Sequence, residues 1–324
     1  MENRTPLEPF HAAPFIKEIG RGKDGARSLA RVDARQLYAA MLDGRVSDLE
    51  LGGILLAMRI KGESVEELAG FLDAAEESFE RLTVPADAAH APVVIPTYNG
   101  ARHMANLTPL LAFLLAREGV PVLVHGVLHD PNRVTTAEVL HELGIAPSPS
   151  IAHAEQCFSR RVPAFMTIET LAPRMAYLLS LRRILGVRSS THTLVKILQP
   201  FAVPALRLTS YTHPEYLELL TAYFTTAAPP ELGDAFLMRG TEGETVANAK
   251  RAQQIEWFHQ GTRTTLVEKQ AATDAVPPLP AGRDAATTAA WIREALDGRQ
   301  PVPAPIAEQV EHCLRVAREI RGRR

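Results

Sequence analysis

The sequence predicts an α/β protein, with a small helical N-terminal domain ahead of a larger domain built on a mostly parallel central sheet. Two patterns carry that expectation. Apolar residues recur at helical spacing before Pro85, and after it short β-branched runs alternate with capped helices, the order that yields parallel strands covered on both faces. A chain of 324 residues with 46% hydrophobic and 22% charged composition can also bury a large core.

Residues 1–85 read as the helical domain, completed by helices near 170–195, and 86–324 as the α/β domain with C-terminal helices. Ser47-Asp48-Leu49-Glu50 is a capping-box pattern, and Leu51, Ile54, Leu55 and Met58 follow at i, i+3, i+4 and i+7. Ser64-Val65-Glu66-Glu67 opens a second helix whose buried side is Leu68, Phe71 and Leu72, with Glu76, Glu77 and Glu80 expected to face water. Beyond Pro85, Val93-Val94-Ile95 is a strand, Thr108-Pro109 reads as an N-cap with proline at the first helical position, and Val120 to Val124 is the next strand. Thr135 to Glu138 caps a helix that closes at Gly144. Ala164 to Ile168, Leu206 to Ser210 and Ala235 to Met238 supply later strands. Two proline-rich stretches frame a helix around Trp291 and precede a last helix from Ile306. Its terminal Arg318, Arg321, Arg323 and Arg324 complement the helix dipole.

Composition narrows the function classes. No run approaches the roughly 18 to 20 apolar residues of a membrane span, and the N-terminus lacks a signal pattern, so a cytoplasmic protein with no membrane partner is expected. Cys157 and Cys313 form no CxxC pair, which argues against a thiolate metal site or a disulfide framework. The formal net charge of −2 masks an uneven distribution. From Thr170 to Pro214 there is no Asp or Glu, while Arg174, Arg182, Arg183, Arg188, Lys196 and Arg207 fall inside that stretch. Any one of them alone reads as part of a solvated face.

The chain resembles the anthranilate phosphoribosyltransferases along most of its length, beginning with Leu56-Ala57-Met58-Arg59-Ile60-Lys61-Gly62-Glu63 in the helical part. Three segments depart from that family. Its Gly-Thr-Gly-Gly-Asp loop, which binds the pyrophosphate of phosphoribosyl pyrophosphate, is matched here by Pro96-Thr97-Tyr98-Asn99-Gly100; proline removes an N–H donor and Tyr98 fills phosphate space. Asn106 and Thr108 persist at the positions of the family's Asn-Ile-Ser-Thr segment. Its Lys-His-Gly-Asn segment reads Val124-His125-Gly126-Val127, where a lone His is more often structural than catalytic. Its adjacent Asp-Glu metal pair is matched by Glu242 and Glu244, spaced by a glycine, so a Mg²⁺ site there competes with the simpler reading of solvated loop carboxylates.

A closer resemblance is to the YbiB-like proteins, the second, divergent family of this class. It is carried by Lys17 to Lys23, Tyr98-Asn99-Gly100-Ala101-Arg102, the stretch from Gly186 to Lys196, Ser210 with His213 to Tyr216, and Gly240 to Glu244. That resemblance implies a homodimer that binds DNA and RNA with little sequence preference along a basic groove. The cations expected to line it are Lys17, Arg21, Lys23, Arg102, Arg182, Arg183, Arg188 and Lys196. Backbone donors near Gly20 to Gly25 could add phosphate contacts, and Tyr98 or His103 could stack on a base. On this reading Thr97, Tyr98, Asn99, Asn106, Thr108 and His125 are vestiges of the phosphoribosyl site, and no catalytic residue, cofactor or metal is expected. The alternative is an anthranilate-type phosphoribosyltransferase, with pyrophosphate on Asn106, Thr108 and His125, Mg²⁺ on Glu242 and Glu244, and an amine acceptor placed by Arg183. A protein-binding cleft is a third option.

Overall fold

A computed structural model of the chain describes residues 8–22, 24–271 and 276–323, so the expectations for Lys23 and Arg324 lie outside the described residues. The chain divides into two units. One comprises the chain up to Phe79 with Ala172–Leu198, the other Glu80–Leu171 with Gln199 onward.

The helical unit begins with α1 (Ala13–Ile19), α2 (Arg31–Leu42), α3 (Asp48–Lys61) and α4 (Val65–Glu76). Ser47 and Ser64 close reciprocal capping boxes with Glu50 and Glu67, which satisfies amide donors that helix starts leave open. Gly70 lets α4 approach α2 closely, since a Cβ there would lie 2.2 Å from the Arg31 carbonyl oxygen. Arg31 then clasps Asp73 with two bonds of 2.7 and 2.8 Å, and Tyr38 stacks on Phe71 at 5.0 Å. Glu76 does not face water as expected. It is only 7% exposed on the buried side of α4, one helical step from Leu72 and Phe71.

The α/β unit runs through β1 (Val93–Thr97), α5 (Thr108–Arg117), β2 (Val122–Gly126), α6 (Thr136–Glu142), α7 (Ile151–Ser159), β3 (Ala164–Thr167) and α8 (Ile168–Leu171). The chain returns to the helical unit for α9 (Pro173–Ser180), α10 (Arg182–Leu185) and α11 (Thr191–Leu194), where the Tyr38 and Thr191 hydroxyls share a bond of 2.9 Å. It re-enters the α/β unit with β4 (Ala205–Ser210), α12 (Pro214–Thr226), β5 (Gly233–Met238), β6 (Ile255–His259), β7 (Thr262–Val267), α13 (Ala285–Leu296) and α14 (Ala304–Gly322). The boundary falls at Glu80 rather than after residue 85. Leu82 already belongs to the second unit, because its N–H donates to Pro200 O and its carbonyl accepts from Ala202 N, both at 2.8 Å.

The sheet order is β3-β2-β1-β4-β5-β6-β7, with the first five strands parallel and the last two joined antiparallel. Val93 and Ile95 point into one core while Val94 points into the other, the period of two for a sheet buried on both faces. The β6–β7 hairpin turns on Gln260 and Gly261, both at positive φ, as a two-residue hairpin requires. Thr108 is not the N-cap of α5. Leu107 holds that position, and Asn106 Oδ1 takes the Thr108 N–H at 3.2 Å instead. Strand order reverses between β1 and β4, so a crevice opens beyond their carboxyl ends, the usual place for ligands in open α/β sheets.

The loop after β5 reaches that crevice and is pinned from below by α14. Gln309, wholly buried, accepts from Ala247 N and donates to Thr245 O, both at 2.7 Å. Gln309→Ala strands both backbone groups away from water. Chemical denaturation should show a loss of about 2–4 kcal/mol, with the far-ultraviolet dichroism of the native state retained.

Candidate functional site

Five backbone amides of the loop following β1 converge on two carboxylates from the loop following β5. Glu244 Oε1 accepts from Asn99 N at 2.9 Å and from Gly100 N at 2.6 Å. Glu242 accepts from Arg102 N, from His103 N at 2.9 Å and from Met104 N at 3.1 Å. The Gly243 carbonyl joins the lattice, accepting at 2.6 Å from both Asn99 Nδ2 and Ser210 Oγ. Only glycine fits at 243, where φ is +91° and a Cβ would fall 2.5 Å from Asn99 Nδ2. Glu242 itself sits at φ +53°, a conformation that costs a side-chain-bearing residue about 1–2 kcal/mol and that three amide bonds offset.

An array of amides aimed at one place is an anion cradle. Here the anion is part of the chain. A magnesium pyrophosphate does not fit these residues. Glu242 spends both oxygens on amides, and Glu244 is buried with Oε1 accepting twice. Among the described residues no three His, Cys, Asp or Glu side chains are placed to share a metal ion.

The remaining vestigial positions are turned inward. Thr97 and Thr136 share a hydroxyl bond of 2.6 Å, and Asn106 Nδ2 donates to Thr136 Oγ1 at 3.0 Å. Thr108 is fully buried, and its Oγ1 finds no partner among the described residues. The Tyr98 hydroxyl and His125 Nδ1 share a hydrogen bond of 2.9 Å, with the rings edge to face. Burial lowers the His125 pKa to about 3, and burial together with the Glu169 charge pushes the Tyr98 phenol well above its ordinary range. Both groups are therefore neutral at physiological pH. His125 is a buried structural partner of Tyr98.

Outside the cradle the crevice is basic. A cavity of about 370 Å³ is lined by Arg102, Arg133, Arg239 and Arg251 together with Glu242 of the cradle, and His103, Thr212, Asn248 and Gln253 also stand in its wall. Among the described residues none of the four arginines forms an ion pair. Only Arg102 was singled out by sequence. Arg133 follows β2, and Arg239 and Arg251 follow β5, so the usable signal was an arginine just beyond the carboxyl end of a parallel strand.

In the helical unit Arg182, Arg183 and Arg188 are exposed and Lys196 is half-buried. Three of them lie near His192. The His192 pKa is lowered to about 4, first by burial and then by Arg188, Arg182 and Lys196. The acid-free stretch is nonetheless less unpaired than its sequence implies. Arg174 pairs with Asp43, and Arg207 is buried in β4 with its guanidinium 5.4 Å from the Phe224 ring. Lys17 is exposed, while Arg21 is tied to Glu18 and to the Lys17 carbonyl. The two units each present basic side chains of their own.

Comparison with known proteins agrees with this architecture. The helical bundle domain of a glycosyl transferase family matches residues 13–79. The uncharacterized protein YbiB of Escherichia coli (strain K12) is 46% identical over 301 residues, 93% of this chain and 92% of that one. An anthranilate phosphoribosyltransferase of Beijerinckia indica is 27% identical over 91% of this chain and 84% of its own. Among solved structures, the anthranilate phosphoribosyltransferase of Thermus thermophilus superposes with a TM-score of 0.69 at 21% identity, over 95% of this chain and 89% of that one. The Saccharomyces cerevisiae enzyme in complex with PRPP and Mg gives 0.68 at 13% identity, over 93% and 88%.

His125 and His192 make the fold sensitive to acid. Each titrates near 6.5 in the unfolded chain but near 3 and 4 in the fold, so between those values the unfolded chain binds more protons. Their contribution is complete above about pH 6.5 and is lost as pH falls. Urea midpoints taken at about pH 7 and about pH 4.5 should drop for the parent chain, and the drop should shrink in His125→Gln, which keeps an acceptor for Tyr98.

Proposed function

The chain belongs to the YbiB family, an anthranilate phosphoribosyltransferase-like group of glycosyltransferase family 3, and from that premise we propose that it binds DNA and RNA with little sequence preference. The observation that carries this reading is the division of labour in the crevice. Glu242 and Glu244 hold the amides that a small phosphate would need, while the four arginines around them have no carboxylate partner among the described residues. A free phosphate must displace two tethered carboxylates. A chain of phosphates can instead engage arginines one by one and release condensed counterions at each contact. Guanidinium forks suit phosphate oxygens and carry no base preference. The cluster of Arg182, Arg188 and Lys196 around His192, with Arg183 beside it, offers a second basic surface. No cofactor is needed for binding of this kind.

Two further parts of the proposal concern assembly and place of action. On α3, Leu49, Leu56 and Ile60 are 88%, 46% and 70% exposed, at helical spacing with Gly53 between them. A continuous apolar stripe on a surface helix calls for a covering partner, and a second copy of the chain supplies one through a two-fold contact. We place the dimer in the cytoplasm. Cys157 and Cys313 are both free thiols, and among the described residues no helix is long and apolar enough to cross a membrane.

Fluorescence anisotropy with a labelled mixed-sequence oligonucleotide tests the binding reading. Affinity should fall at least tenfold between about 50 and about 200 mM salt, and Arg182→Glu with Arg183→Glu should weaken it by about a further order of magnitude. Affinity that ignores both salt and substitution sinks the proposal.

Sedimentation tests the assembly separately. The parent chain should run at twice the 35.4 kDa of one copy, and Leu56→Glu combined with Ile60→Glu should run at the single-copy mass.

A further inference from the structure

Beside the arginine-lined cavity lies a second one of about 400 Å³ with a more apolar lining. Met104, Ala105 and Leu107, with Leu279, Pro280 and Ala281, give it an apolar floor, while His103, Lys250 and Arg283 supply polar groups. The two cavities adjoin at three points. His103 lines both. Arg283, on the apolar side, donates to the carbonyl of Arg102, on the basic side. Asn248 lines the basic cavity and reaches Met104 Sδ at 3.5 Å. Each has the size of an ordinary small-ligand site, ~300–1,000 Å³.

A compartment of unpaired arginines joined to an apolar compartment through an exposed imidazole fits one ligand chemistry well: a phosphate attached to a flat, weakly polar ring. We propose that the paired cavities form a nucleotide subsite, with the phosphate among Arg102, Arg133, Arg239 and Arg251, and an unpaired base seated against Met104, Leu279 and Ala281. This rests on the nucleic-acid reading and deepens it. A base inside a duplex is stacked and paired, so only a single-stranded or terminal nucleotide can fill both compartments. The apolar wall rewards any base face and reads no hydrogen-bond pattern, which keeps the binding tolerant of sequence. Lys250, exposed and lining the second cavity, adds a cation there for a neighbouring phosphate of the strand.

The test compares three labelled ligands of equal length: a mixed-sequence single strand, an abasic strand with the same phosphates, and the blunt duplex. Anisotropy is read for the parent chain, for Ala281→Trp, and for Arg239→Ala with Arg251→Ala. Residue 281 is exposed, so a tryptophan there fills the cavity without entering the core, and a thermal melt confirms folding. The base-bearing strand should bind roughly tenfold tighter than the abasic one. Ala281→Trp should erase that advantage and leave abasic binding unchanged, whereas the double arginine variant should weaken both strands. Equal binding of the two strands by the parent chain, or an advantage that survives Ala281→Trp, overturns the subsite while leaving nucleic-acid binding in place. If no strand binds, the polymer reading fails, and adenosine 5′-monophosphate titrated by calorimetry decides the subsite alone. Saturable binding abolished by Ala281→Trp upholds it for a free nucleotide, and no binding overturns it. Poly-glutamate that competes as well as the base-bearing strand overturns the choice of a nucleotide over an acidic peptide.

Discussion

The bonds from Glu242 and Glu244 to the loop after β1 govern what the rest of the crevice can do. Hydrogen bonds to a charged acceptor are stronger than neutral ones, about 1.5–3 kcal/mol each, and five of them meet here. Both acceptors are tethered to the same polypeptide, so a dissolved anion competes against a very high local concentration. Their hold also explains why the loop tolerates a proline and a tyrosine where close approach to a phosphate would demand glycine. The demand for glycine has moved across the crevice, to Gly243, where a Cβ would strike Asn99. Gln309 keeps the carboxylate loop from retreating, which makes α14 part of the site although none of its residues lines the basic cavity.

Local physics made much of the scaffold readable in the sequence. Ser47, Ser64 and Thr135 all close the capping boxes that their spacing announces, because the partners lie three residues apart. β1 and β2 were visible as β-branched runs since both faces are buried. The site was not readable in the same way. Glu244 meets Gly100 across 144 residues, and nothing adjacent to either reports the pairing. Glu242 and Glu244 therefore read as metal candidates or solvated carboxylates, when their chemistry is that of a built-in anion. Arg174 and Arg207 looked uncompensated for a related reason. Their partners, Asp43 and the Phe224 ring, lie outside the acid-free stretch. Glu76 defeated its pattern because a glutamate is normally a sign of an exposed face.

His125 and His192, two of the depressed histidines, separate structural from electrostatic causes. His125 is lowered by burial alone, which matches a residue locked between strands and bonded to Tyr98. At His192, three named cations add to burial. Arg182, Arg188 and Lys196 all lie close enough to disfavour its charged form, whereas exposed cations on a helical unit are by themselves ordinary.

Exchanging backbone donors for side-chain donors changes what kind of anion a surface can select. Amides fixed by a strand end and a turn define one geometry, so they discriminate among small phosphates by shape and distance. Arginines on loops after β1, β2 and β5 bring long, rotatable stems with planar forks, which keep their charge at any working pH and adjust to phosphates at varied spacing. Such a surface loses discrimination within a single ligand and gains additivity along a repeating one. For a scaffold whose cradle is already filled, a repeating anion is the ligand that extracts most from the charges left over, because each added phosphate contributes its own counterion release.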